Sequence, residues 1–249
     1  MCRSFLSEGV QEEGKYVGVD ACRKGWVVVS LYEETACVHI DIVETLNAAK
    51  NHFRKAKIVF IDIPIALPDT HTERECDKIA RKILKKRASS IFRVPHINVS
   101  IARNYEEACI INENATGKRI NKQAWNIFGR VIETRKFLKN NPEVALRFFE
   151  SNPELCFYHL NDMVNLIYSK HISEGIEERR GILEKYIGRR ELERLFSILR
   201  DFPRNLLSVD DVLDSLSMAT VAKFFKGSYR YIPEHPNCDK EGFTLQMVF

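Results

Sequence analysis

Hydrophobic and polar positions alternate most clearly near the start of the chain. Tyr16 to Asp20 and Trp26 to Leu31 are short β-favouring runs separated by Arg23-Lys24-Gly25, and a third run, Ala36 to Val43, follows Glu33-Glu34-Thr35. Three such runs with tight polar connections predict an antiparallel meander. The period then changes. Leu46, Ala49 and Phe53 recur at helical spacing within Glu44 to Arg54, and the uninterrupted apolar run Ile58 to Ile63 that follows reads as a central strand, buried on both faces. Pro64 and Pro68 cannot continue a ladder, so the chain must leave the sheet directly after Asp62.

From about 70 to 142 the pattern is helical and predicts an insertion of three helices, Glu73 to Lys86, Ser100 to Ala115 and Lys122 to Lys139. Thr72-x-x-Glu75 is a candidate capping box, Gly117 is placed to end the second helix, and Trp125, Phe128, Ile132 and Leu138 form a core stripe on the third. Ala145 to Ser151 reads as a further strand followed by Asn152-Pro153-Glu154, and Gly175 to Arg200 as a charged helical stretch. Ser208 is placed to cap a last, largely apolar helix that carries Asp210, Asp211 and Asp214 in its first turns. At about 100° per residue, either Asp210 or Asp211 shares a face with Asp214.

The 249 residues, 45% of them hydrophobic, are enough for one large domain over 1–249 with the helical insertion inside it. No apolar run approaches the roughly 18 residues of a membrane span, and Met1 to Gly14 lacks the pattern of a signal segment. Seven scattered cysteines with no C-x-x-C pair suggest neither a zinc cage nor a disulfide framework, and fit a reducing cytoplasm. A net charge of +4 argues nothing for nucleic acid by itself. The local basic excess in Arg81-Lys82 and Lys85-Lys86-Arg87 is either a solvated helix face or a counter-surface for a polyanion.

Meander, helix, central strand, helical excursion, further strand and buried C-terminal helix is the element order of an α/β ribonuclease H-like core with an insertion. In that arrangement the first strand and the strand after the first helix are neighbours, and the last helix crosses nearby, so Asp20, Asp62 and Asp214 converge. Carboxylates brought that close repel one another unless a cation compensates. Oxygen-only ligands suit Mg²⁺ or Mn²⁺, and such ions serve phosphodiester hydrolysis. Each acid also has a plain structural alternative: Asp20 ending a strand, Asp62 capping a loop, Asp210 or Asp211 complementing a helix N-terminus. Asp214, within an apolar helix, is harder to account for that way.

Gly18-Val19-Asp20-Ala21-Cys22-Arg23-Lys24-Gly25-Trp26 followed by Ile61-Asp62-Ile63-Pro64-Ile65-Ala66-Leu67-Pro68 resembles the domain-of-unknown-function 429 family, described as predicted ribonuclease H-like nucleases. Arg74-x-Cys76-Asp77-x-x-Ala80-Arg81, Ser89-Ser90-Ile91-Phe92-x-x-Pro95, Pro153-Glu154-x-x-Phe157 and Asp210-Asp211-x-x-Asp214 extend the likeness over almost the whole chain. Two positions depart from it: Asn152 stands where His is expected, and Ser215 where Ala is usual. The resemblance implies Asp20, Asp62 and Asp214 as metal ligands, with Asp211 next, and Glu154 as a further ligand or a base that positions water. It implies Arg81, Arg87 and Lys170 as phosphate contacts. Arg81 has an alternative place in an ion-pair ladder with Arg74 and Asp77, and Ser89 and Ser90 either donate to phosphate or cap a turn. Trp26 reads as packing beneath the meander.

The implied activity is metal-dependent cleavage of DNA or RNA, and the implied partner is nucleic acid, not a membrane. A module that keeps the fold and binds without turnover is the alternative. A phosphotransferase of the actin-like superfamily fits less well, since none of the 11 glycines forms a glycine-rich phosphate loop. DNA versus RNA and the oligomeric state leave no mark in the pattern.

Overall fold

The computed structural model describes residues 14–35, 37–200 and 207–249. Strands β1 (Lys15–Cys22), β2 (Gly25–Tyr32) and β3 (Val38–Val43) form the antiparallel meander, paired Lys15 to Tyr32 and Trp26 to Val43. Ala36, the expected start of the third strand, lies outside the described residues, as does most of Met1 to Gly14. The Thr45 side chain caps a 3-10 turn over Leu46–Ala49 that runs into the short helix α1 (Lys50–Arg54), and β4 (Ala56–Ile61) follows.

The helical excursion then comprises α2 (Glu75–Leu84), α3 (Tyr105–Thr116) and α4 (Lys122–Asn140). A one-turn helix α5 (Pro142–Ala145) precedes β5 (Phe148–Glu150), and α6 (Pro153–Leu160), α7 (Ser173–Ile187), α8 (Arg189–Arg200) and α9 (Val209–Phe224) follow. A two-stranded ribbon of β6 (Tyr231–Ile232) and β7 (Met247–Val248) ends the chain. The main sheet has the order β3-β2-β1-β4-β5, with β4 parallel to both β1 and β5. The protein is therefore mixed α/β. Among the described residues no helix is long and apolar enough to cross a membrane.

Period-2 alternation sends side chains of the inner strands into two separate cores. Val27, Val29, Leu31 and Phe60 pack with α2, α6, α7, α8 and α9, while Val17, Val19, Trp26, Val28, Val59 and Ile61 pack with α1, α3 and α4. Each fully buried Val, Leu, Ile or Phe contributes about 1.5–3 kcal/mol. Trp26 is wholly buried, and its indole N–H donates to Glu133 Oε1 at 3.1 Å, so it is a packing residue.

Helix α9 lies unusually close to β1. A Cβ on Gly18 would fall 1.9 Å from the Ser215 carbonyl oxygen, so the strand must have glycine there for the helix to sit where it does. That contact places the α9 acids beside the end of β1.

Several sequence-based boundaries change, each for a tertiary reason. Thr72 makes no capping box: the α2 N-cap is Arg74, whose side chain is drawn into a buried ion pair with Asp77 and Glu150, and the helix ends at Leu84 rather than Lys86. Helix α3 starts at Tyr105 because the Asn104 side chain accepts from the Glu107 amide, the residues before it forming a 3-10 turn over Ile97–Ile101. The expected strand Ala145 to Ser151 shrinks to Phe148–Glu150, since Pro142 opens the turn of α5. Gly188, at φ +84, divides Gly175 to Arg200 into two helices. The α6 helix and the β6–β7 ribbon lie where the pattern predicts no element.

Candidate active site

Backbone register brings the first two acids together. Val19 of β1 pairs with Ile61 of β4, and the Asp62 amide donates to the Val19 carbonyl at 2.9 Å, so Asp20 and Asp62 follow adjacent positions on neighbouring parallel strands. The loop beyond Asp62 is pinned: Glu150 Oε2 accepts from the Ile65 amide at 2.7 Å, and Arg74 bridges Glu150 to Asp77 and to the Ala66 carbonyl. Helix α9 delivers the third acid. It starts with a capping box in which Ser208 Oγ accepts from the Asp211 amide and Asp211 Oδ2 accepts from the Ser208 amide. Asp20, Asp62, Asp211, Asp214 and Glu154 all line one cavity of about 1010 Å³. Asp210 turns elsewhere, 3.4 Å from His171 Nδ1.

The floor of this cavity is costly for charge. Asp20 is 9% exposed and Asp214 2%. Burial, then the negative charges of Asp62 and Asp214, hold the Asp20 carboxyl well above the usual carboxylate range, against the pull of Lys170. Burial and the neighbouring Asp214 push Asp62 up to about 7. Burial raises Asp214 as well, with the Lys170 ammonium, 2.5 Å from Asp214 Oδ2, acting in the opposite sense. Burial works against the Lys170 charge, but Asp214, Asp20 and Asp62 outweigh it and leave the ammonium above its ordinary value. One lysine thus partly offsets three carboxyls.

Another part of the lining is basic and hydroxylic. Lys85, Lys86, Arg87, Ser89 and Ser90 line the cavity from the 3-10 segment that follows α2. Lys85 and Lys86 are exposed, and among the described residues no carboxylate pairs with either. Arg87 is committed: it donates to the Leu166 carbonyl at 3.1 Å, to the Tyr168 carbonyl, and to Glu154 Oε1 at 3.4 Å. Ser90 Oγ donates to the Arg87 carbonyl, a turn contact, while Ser89 is exposed. Arg81 is not among the lining residues. It pairs with Glu73 at 2.5 Å and donates to the Ile91 carbonyl, so the expected ladder stops at Arg74–Asp77.

Two interactions had no signal in the sequence. Asn152 Nδ2 donates to Asp62 Oδ1 at 3.4 Å, so the residue standing in place of the expected His still reaches the site, as an amide. Glu154 Oε1 takes Arg179 at 2.6 Å, while Oε2 is buried with no partner among the described residues. Arg179 had no marker beyond its charge, sitting in a helix rich in exposed charges.

Among the described residues no group of three or more His, Cys, Asp or Glu side chains is arranged to hold a metal ion. A two-carboxylate site is a different matter. Mg²⁺ is commonly held by one or two protein carboxylates, with water and phosphate oxygens completing its shell. Asp214 Oδ2 is engaged by the Lys170 ammonium and Asp211 Oδ2 by the Ser208 amide, whereas Asp20 Oδ1 and Asp62 Oδ1 take only the neutral donors of the Ala21 amide and Asn152, so Asp20 and Asp62 are the pair whose oxygen chemistry and only partly offset repulsion fit such an ion.

Residues 18–237 match a family model described as protein of unknown function (DUF429). No curated protein and no solved structure matches the chain.

Proposed function

We propose, for a chain that belongs to the DUF429 family of proteins of unknown function, that this cavity hydrolyses phosphodiester bonds of nucleic acid with the help of Mg²⁺ or Mn²⁺ held by Asp20 and Asp62. The observation that carries the proposal is the meeting of buried Asp20 and Asp214 and half-buried Asp62 with the unpaired Lys85 and Lys86 in a single cavity. Acids alone repel phosphate, and lysines alone have no hydrolytic chemistry. The sheet order β3-β2-β1-β4-β5, with a buried C-terminal helix across β1, supports reading the fold as a ribonuclease H-like core. Among the described residues six cysteines are free, in keeping with a cytoplasmic setting.

When bound, the ion would supply Lewis-acid polarisation of the phosphoryl oxygen and a more acidic water. The chain's own groups would do the rest. Lys85 and Lys86 neutralise incoming phosphates, and Lys170 favours the charged form of Asp214 at the cavity floor against the effect of burial. The unpartnered Oε2 of Glu154 accepts a hydrogen bond from a water and orients it. Arg179 and Arg87 hold that carboxylate in place through its other oxygen.

A second reading, a module that binds a phosphorylated ligand without turnover, draws support from the Lys170–Asp214 pair, in which an ammonium already answers one of the acids. Cleavage of mixed DNA and RNA oligonucleotides in manganese separates the two. The nuclease reading expects turnover by the wild type and a loss on the order of a hundredfold or more in Asp62→Asn, the size of effect of deleting one electrostatic group from a site. Binding with no metal-dependent cleavage selects the second reading.

A further inference from the structure

Resting on the phosphodiester reading, the walls of the cavity bear on which form of nucleic acid enters it. The acids lie at the floor, Asp20 at 9% and Asp214 at 2% exposure, so a scissile phosphate must come down to them. A duplex keeps its bases stacked and paired, whereas a single strand can turn its bases out and bend its backbone into a recess.

The mouth carries apolar groups as well as charge. Ile167 lines the cavity and is 79% exposed, with Val164, Tyr168 and Ile172 also exposed along the same loop. This loop is held firmly. The Ile167 and Tyr168 amides donate to the two oxygens of Glu178 at 2.9 and 3.0 Å, and Arg87 donates to the Leu166 carbonyl. An apolar side chain held in water by a fixed backbone is preorganised for a ligand, because little ordering remains to be done on binding. The half-buried ring of Phe92 also lines the cavity, as do the exposed Lys85 and Lys86. A cationic track beside an aromatic face and an apolar face is the combination that binds single strands: charge follows the backbone, and π or apolar surface takes the unstacked base.

We propose that the cavity takes a single strand of DNA or RNA, its phosphates along Lys85 and Lys86 and an unstacked base against Phe92 and Ile167. The test is fluorescence anisotropy in calcium, with a labelled single strand and the matching blunt duplex, for wild type, Ile167→Ser and Phe92→Leu. Single strands should bind at least tenfold more tightly than the duplex. Each substitution should weaken single-strand binding severalfold and leave the slope of log affinity against log salt unchanged, since neither removes a charge. Ile167 is exposed, so its replacement leaves the fold intact. Equal or tighter duplex binding, or an Ile167→Ser protein that binds single strands like wild type, overturns the strand preference and leaves the phosphodiester reading standing. Failure of folded wild type to bind either form overturns both.

Discussion

At the scale of single residues, Asp62 gives the sharpest expectation. Its folded-state value of about 7 lies well above that of an exposed aspartate, near 3.9. Between those values the unfolded chain has lost the proton that the folded chain retains, so stability falls as pH rises through the window from about 4 to 7. It is fully present below that window. The loss amounts to as much as about 4 kcal/mol when complete. In chelator, Asp62→Asn should flatten this fall in melting temperature and melt above wild type at pH 8. An unchanged slope in Asp62→Asn would show that the proton belongs to another group. Asp62 was legible from sequence because an apolar strand ends abruptly in Asp-x-Pro. Its partner Asn152 was not, because the hydrogen bond joins residues far apart in the chain.

At the scale of elements, the site depends on how closely α9 rides over β1. Gly18→Ala places a methyl group against the Ser215 backbone, which cannot swing aside as a side chain could, and should cost about 3 kcal/mol or more. Gly129→Ala on α4 meets nothing within 4 Å and should stabilise by about 0.5–1 kcal/mol. Urea unfolding of the two variants checks the contrast, and equal stabilities would mean that α9 has room to move. The meander, β4 and α9 were readable because β-branched runs, turn residues and a Ser-x-x-Asp cap repeat the same message locally. Helix α6 had a signal too, Asn152 as N-cap with Pro153 at the first helical position, but Asn-Pro also opens turns. The false capping box at Thr72 has the opposite lesson: burial of Arg74 with Asp77 and Glu150 decided where α2 begins, and such partners cannot be seen locally. Strands β6 and β7 span two residues each, too short for any periodicity.

At the scale of the whole molecule, a net charge of +4 hides a polarised cavity in which acids form the floor and lysines part of the wall. Arg87 is bound to two carbonyls and Glu154, so the charge available to a polyanion comes from Lys85 and Lys86. Reversing both to Glu should weaken nucleic-acid binding for every sequence and flatten the slope of log affinity against log salt by about 1.4 to 1.8, roughly 0.7 to 0.9 for each phosphate no longer neutralised. An unaltered slope would place the strand elsewhere. The most direct test of the account is the cation itself, located by anomalous scattering in crystals soaked with manganese. The account predicts a peak bonded to carboxylate oxygens of Asp20 and Asp62, at about 2.1–2.2 Å, that vanishes in Asp62→Asn crystals. A soaked crystal with no manganese between these two aspartates, or with manganese bound only on another face, would contradict it.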